Sequence, residues 1–176
     1  AARERRLWLR GTEGLPAHRE VVVDCDRGGD TFGFLEHEVH SGRTFVIRSA
    51  YDRGVILGHD PDGPHGLLHT SARTLAPFGC CRVDVSRKIQ VKSPKKKGKK
   101  TTSIRSKRVA ELSVSAAPVM VKAPSSKNGE HGDKPLRMGI VRVGEANPPE
   151  GEEPLQWLQR TNHPATTHAP ACSGRP

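Results

Sequence analysis

Val21-Val22-Val23-Asp24-Cys25-Asp26-Arg27-Gly28-Gly29-Asp30 decides how this chain folds. The three valines favour a strand buried in a parallel or mixed sheet. The run ends in acidic residues and then breaks at Arg-Gly-Gly-Asp. Beyond it, Phe32, Leu35 and Val39 recur at roughly helical spacing, and Asp30 stands where an N-cap belongs. Asp26 therefore falls at the carboxyl end of a strand, where α/β folds carry their chemistry. A carboxylate there suits Mg²⁺, which binds through one or two carboxylates plus phosphate oxygens. The alternative is an ordinary strand-to-helix turn with solvated acids.

Two further blocks bear on the choice. Residues 43–49 read Arg43-Thr44-Phe45-Val46-Ile47-Arg48-Ser49, and residues 147–162 include Asn147-Pro148-Pro149-Glu150-Gly151-Glu152-Glu153-Pro154-Leu155-Gln156-Trp157-Leu158. In this order, with the Asp-Arg-Gly-Gly-Asp turn, the blocks resemble transposases of the insertion-sequence-four family, the group that includes the transposon-five enzyme. That family commonly shows Asp-Arg-Glu-x-Asp, then Arg-Phe-Val-(Val/Ile)-Arg-Ser, then Asn-Pro-Pro-x-Gly-Glu-x-Pro-Leu-x-Trp-Leu-Leu-Leu-Thr. The opening Arg5-Arg6-Leu7-Trp8-Leu9-Arg10-Gly11 is similar to the helix that precedes the family's strand. The blocks run in family order over about residues 4–162, which makes the match specific where no single block would be.

The resemblance implies an α/β fold: a partial ribonuclease-H-like core with a mostly antiparallel β insertion. It implies Asp-Asp-Glu chemistry, in which two metal ions activate water or a 3′ hydroxyl and stabilise in-line attack on a phosphodiester. Asp26 matches the second catalytic aspartate and is the metal ligand, with Mg²⁺ the expected cofactor. Arg48 matches the arginine of the Val-(Val/Ile)-Arg-Ser block, a DNA-backbone contact. Trp157 matches the tryptophan that lies near the transposon end, where a base is flipped from the duplex. Arg27 keeps its place in the motif and is read as DNA-binding. The implied partners are transposon-end DNA and, in the full-length family, a second copy of the chain. The implied location is the bacterial cytoplasm, at the nucleoid.

The departures set further expectations. Gly28 stands where the family usually has Glu. The first catalytic Asp belongs to an earlier strand, and the third acid, a Glu, to a Tyr-x-x-Arg-x-x-x-Glu-x-x-x-x-x-x-Lys helix; neither is matched here. The chain is thus expected to be a transposase fragment, truncated at both ends, with Mg²⁺ binding weak or absent. No strand cleavage is expected from it alone, which incubation with a transposon-end duplex and Mn²⁺ checks. Residues 163–176, rich in Pro, Thr, Ala and His, read as a disordered, frameshifted tail.

Composition frames these expectations. The chain has 176 residues, 34% of them hydrophobic, so its core is poor for its length. A formal charge of +10 suits a polyanionic partner. A basic nucleic-acid-binding protein without enzymatic activity is therefore the alternative function. No run is long and apolar enough to span a bilayer, and none reads as a signal peptide. Four cysteines, none in a CxxC pair, are expected as reduced thiols. His37 with His40, and His65 with His69, have helix-compatible spacings. Pro64 and Gly66 argue against a helix at the second pair, and no Cys/His set completes a zinc tetrahedron, so these are expected as solvated histidines.

The organisation follows. Residues 1–50 are the partial ribonuclease-H-like part: helix, strand to Asp26, helix to about Val39, strand Thr44–Ser49. Residues 51–155 are the β-rich insertion, which opens with loop-rich sequence to residue 78. From 79 the period turns to two, with Cys81, Val83 and Val85 continuing to Ile89 and Val91. Further alternating runs lie at Ala110–Ala116 and Met138–Val143. Residues 156–162 return to the core. Within the insertion, residues 92–108 form a self-repelling basic loop containing Lys95, Lys96, Lys97, Lys99 and Lys100. Such a loop tracks phosphates without reading bases, or serves only as a solubilising loop.

Overall fold

The computed structural model describes residues 2–16, 21–92, 101–125 and 131–164. It shows a mixed α/β fold built on a mostly antiparallel sheet. Strand β1 (Val22–Cys25) ends at Asp26, which opens a 3-10 turn at Arg27–Gly29. Helix α2 (Phe32–Ser41) follows, then strand β2 (Thr44–Arg48), parallel to β1. Gly42 ends α2 at φ 76°, a left-handed conformation in which any side chain is strained. Helix α1 (Ala2–Glu13) precedes them; its Trp8 packs on Phe34 with ring centroids 6.1 Å apart.

The remaining elements are β3 (Gly54–Leu57), β4 (His65–Leu67), α3 (Leu68–Arg73), β5 (Gly79–Val85), β6 (Lys88–Lys92), β7 (Thr101–Arg105), β8 (Arg108–Val121), β9 (Leu136–Glu145) and β10 (Gln156–Thr161). The main sheet runs β1-β2-β10-β9-β8-β3-β4, with β5 also paired to β8. Strand β8 has 14 residues: one half pairs with β5 and the other with β3, while β9 runs along its opposite edge. Strands β6 and β7 form a separate hairpin. The β-rich segment and the β1–β2 pair thus share one sheet, joined by β10 between β2 and β9.

The helices cover one face of this sheet. Phe34, Leu35, Phe45, Ile47, Val55, Leu68, Val119, Val121 and Ile140 are fully buried there. The pairing places Cys25, Ile47, Arg160, Ile140 and Ala117 in a single cross-strand row on that face. A guanidinium in the middle of an apolar row needs a partner. Asp30 supplies it: both side chains are 0% exposed, and Arg160 Nη1 donates to Asp30 Oδ1. Asp30 Oδ2 also accepts from the backbone N–H groups of Ala50 (2.6 Å) and Tyr51 (3.0 Å). Arg53 Nη2 donates to the Asp30 carbonyl at 2.9 Å. Asp30 is therefore not the N-cap of α2; Thr31 is, its hydroxyl accepting from Phe34 N at 3.3 Å. The spacing suggests a cap because it does not reveal the arginine 130 residues away.

Other expectations are also revised. Residues 51–78 hold β3, β4 and α3 as well as loops. The period-two pattern from 79 does not continue as one strand to 91; it breaks at Ser86 and Arg87, and along β5 only Val85 is buried. His65 lies on β4 and His69 on α3, so they share no helix, as Pro64 and Gly66 lead one to expect; His69 is nonetheless not freely solvated, its Nε2 lying 2.9 Å from Ser49 Oγ. His37 is not freely solvated: its ring sits 3.2 Å from Arg43 Nη2, beside the buried Glu38–Arg43 pair. Cys80 is disulfide-bonded, while Cys25 and Cys81 are free thiols.

Gly29 packs so tightly on β1 that a Cβ there would lie 2.8 Å from Cys25 Cβ. Burial, then the nearby Glu38, Asp24 and Asp26 carboxylates, pushes the Cys25 thiol up from 9.0 to about 11. The native state thus favours the protonated thiol. This contribution is full below pH 9 and is lost as pH rises through about 11. At pH 8, Cys81 should label rapidly with a maleimide, whereas Cys25 should label only on unfolding. Equal labelling rates in the native protein would contradict this packing.

Candidate nucleic-acid interface

The turn after β1 exposes its functional side chains. Asp24 and Asp26 are both solvent-exposed. Asp26 Oδ1 accepts from Gly28 N at 2.8 Å, a capping bond that orders the turn. Among the described residues no group of three or more His, Cys, Asp or Glu gathers to hold a cation. The acids present at β1 do not fit a two-metal site, which needs carboxylates brought from several elements.

The basic residues are gathered. Arg27, Arg48 and Trp157, far apart in sequence, line one cavity of about 140 Å³. Its floor continues the core face by one row: Ser49, Leu158 and Arg142 are neighbours across β2, β10 and β9. Above them stand His69, Ala72 and Arg73 of α3, and Arg27 comes from the 3-10 turn. Leu68 and Ala72 bury one side of α3 in the core. His69 and Arg73, also four apart, then both line the cavity.

Hydrogen bonds fix the floor. Arg160 Nη2 donates to Ser49 Oγ at 3.1 Å, and His69 Nε2 lies 2.9 Å from the same oxygen. His69 N donates to Asp52 Oδ1 at 2.7 Å, holding the start of α3. The Asp30–Arg160 pair thus supports the cavity from behind. Gly144 leaves room for Arg142; a Cβ there would come within 3.1 Å of Arg142 Nη2. Among the described residues, no carboxylate lines the cavity. Among the described residues, none of Arg27, Arg48, Arg73 and Arg142 has an acidic partner.

Arg48 and Trp157 also line a wider trough of about 550 Å³ with Lys88, Arg105, Glu153, Pro154, Leu155 and Gln156. Lys88 and Arg105 face each other at the foot of the β6–β7 hairpin. Trp157 is half-buried, packed against the small apolar cluster of Val85, Ala110, Leu112 and Leu155. Lys95, Lys96, Lys97, Lys99 and Lys100 follow β6 and lie outside the described residues.

An ion-pair cluster ties together the segments that carry Arg105 and Leu155 of the trough. Arg108 donates to both oxygens of Glu145 (3.0 and 2.9 Å) and to Glu152 (2.6 Å). Ser106 N donates to Glu152 Oε1 at 3.0 Å, and Leu155 N to Glu145 Oε2 at 3.0 Å. The Arg108 hydrogen bond holds the Glu145 carboxyl below its ordinary value, and the bond from Ser106 does the same for Glu152. Both carboxylates therefore stabilise the fold above about pH 4.5, and that contribution is lost as pH falls below it. Unfolding curves from pH 6 to pH 3 should show falling stability, with a shallower fall in Glu145→Gln. An identical pH dependence in the variant would remove Glu145 from this role.

Sequence patterns point to Arg27, Arg48 and Trp157 but miss His69, Arg73 and Arg142. The four-residue spacing of His69 and Arg73 is the available signal, and it is informative only once α3 is known to be helical. No protein-family model matches the chain.

Proposed function

We propose that this chain is a nucleic-acid-binding unit that grips the DNA phosphate backbone, as a piece of a transposase of the insertion-sequence-four kind. The observation that carries the reading is the trough itself. Arg48, Lys88 and Arg105 line it at the foot of a hairpin that leads into the lysine-rich block. Cations lining a groove neutralise successive phosphates and do so independently of sequence. The β1–α2–β2 unit supports the ribonuclease-H-like part of the reading, because it is parallel and places Asp26 at the carboxyl end of its first strand.

Binding, not cutting, is the contribution proposed for this chain. The test is a fluorescence-anisotropy titration of the purified chain with a DNA duplex across a salt series. Changing Arg48, Lys88 and Arg105 singly to Ala should each weaken binding and reduce the salt slope by about one phosphate's worth, roughly 0.9. Unchanged affinity and slope in all three would sink the proposal.

A further inference from the structure

The smaller cavity has a chemistry of its own. Four arginines, from the 3-10 turn, β2, α3 and β9, line about 140 Å³, and among the described residues no carboxylate joins them. Like charges brought together by folding repel one another. Folding holds the arrangement in place through the Ser49–Arg160–Asp30 bonds. A bound anion would relieve it, and the guanidinium fork matches phosphate oxygens in pairs.

Size narrows the ligand. At about 140 Å³ the cavity accommodates one tetrahedral oxyanion. It falls short of the roughly 300 Å³ at which pockets for larger ligands begin, so a whole nucleotide does not fit. Charge narrows it further, because a phosphodiester brings one negative charge where a phosphomonoester brings nearly two at pH 7. We propose that this cavity is a phosphomonoester site that takes the terminal phosphate of a nucleic-acid strand. The assignment rests on the nucleic-acid reading above; free inorganic phosphate shares the chemistry and is the competing source.

The full chain is titrated with labelled oligonucleotides of one sequence, carrying a 5′-phosphate, a 3′-phosphate or hydroxyl ends. One phosphate-ended strand should bind about tenfold or more tightly than the hydroxyl-ended strand, the scale of one added charge-assisted hydrogen bond. Inorganic phosphate should compete away that difference, and Arg73→Ala and Arg142→Ala should each bring the ratio toward one. Arg73 is exposed, so its loss does not threaten the fold. Equal affinity for all three strands, with DNA binding intact, overturns the terminal-phosphate site and leaves the backbone trough standing. Phosphate binding without any strand binding overturns the nucleic-acid reading, and the terminal-phosphate assignment with it.

Discussion

Replacing Asp30 with alanine should cost about 3–5 kcal/mol of folding free energy, the scale seen when one partner of a buried ion pair is removed. The loss has several parts. Arg160 would remain 0% exposed in the middle of the core face without its counter-charge. The N–H groups of Ala50 and Tyr51 would lose their acceptor. Domains of ordinary stability hold only about 5–15 kcal/mol, so the variant should be substantially unfolded at 37 °C. Asp30→Asn keeps an acceptor for the backbone and should lose less. Urea denaturation followed by tryptophan fluorescence checks both. A loss below about 1 kcal/mol for the alanine variant would mean that the Asp30–Arg160 pair does not organise the core.

The second large effect concerns salt. If the lysine-rich block and the trough together neutralise about six phosphates, log K should fall with log salt at a slope of about −5. Affinity for a DNA duplex should then drop roughly a thousandfold between 50 and 200 mM salt. Changing Lys95, Lys96, Lys97, Lys99 and Lys100 together to Ala should flatten the slope markedly, with little dependence on DNA sequence. A slope that survives the five substitutions would leave the block as a solubilising loop and confine binding to the trough.

The β1–α2–β2 unit was legible in the sequence because each part carries a local signal. Val21–Val23 is β-branched, Phe32, Leu35 and Val39 repeat at helical spacing, and Thr44–Ile47 is again a strand former. The alternation of Met138–Val143 located β9 for the same reason. What stayed hidden depends on partners distant in sequence. Asp30 looks like a cap until Arg160 is placed beside it. Strands β3 and β4 are short and flanked by Gly and Pro, so their turn chemistry outweighs their strand propensity. Arg27 and Arg48 were legible as candidates through a family pattern. The cavity they share with Arg73 and Arg142 exists only because four elements meet.

The place of β10 has a consequence for synthesis. It is the last strand of the described chain, and it lies between β2 and β9. Its ladder with β2 joins residues more than a hundred positions apart, Arg160 with Ile47. Until residues 156–161 leave the ribosome, the growing polypeptide holds two half-sheets with facing open edges. Those edges are templates for pairing with a neighbouring nascent chain. The same residues deliver Arg160 to the carboxylate of Asp30, which already pairs with Arg53 at 3.6 Å. A ribosome stalled before Gln156 would display two unpaired strand edges, the state that chaperones and proteases recognise.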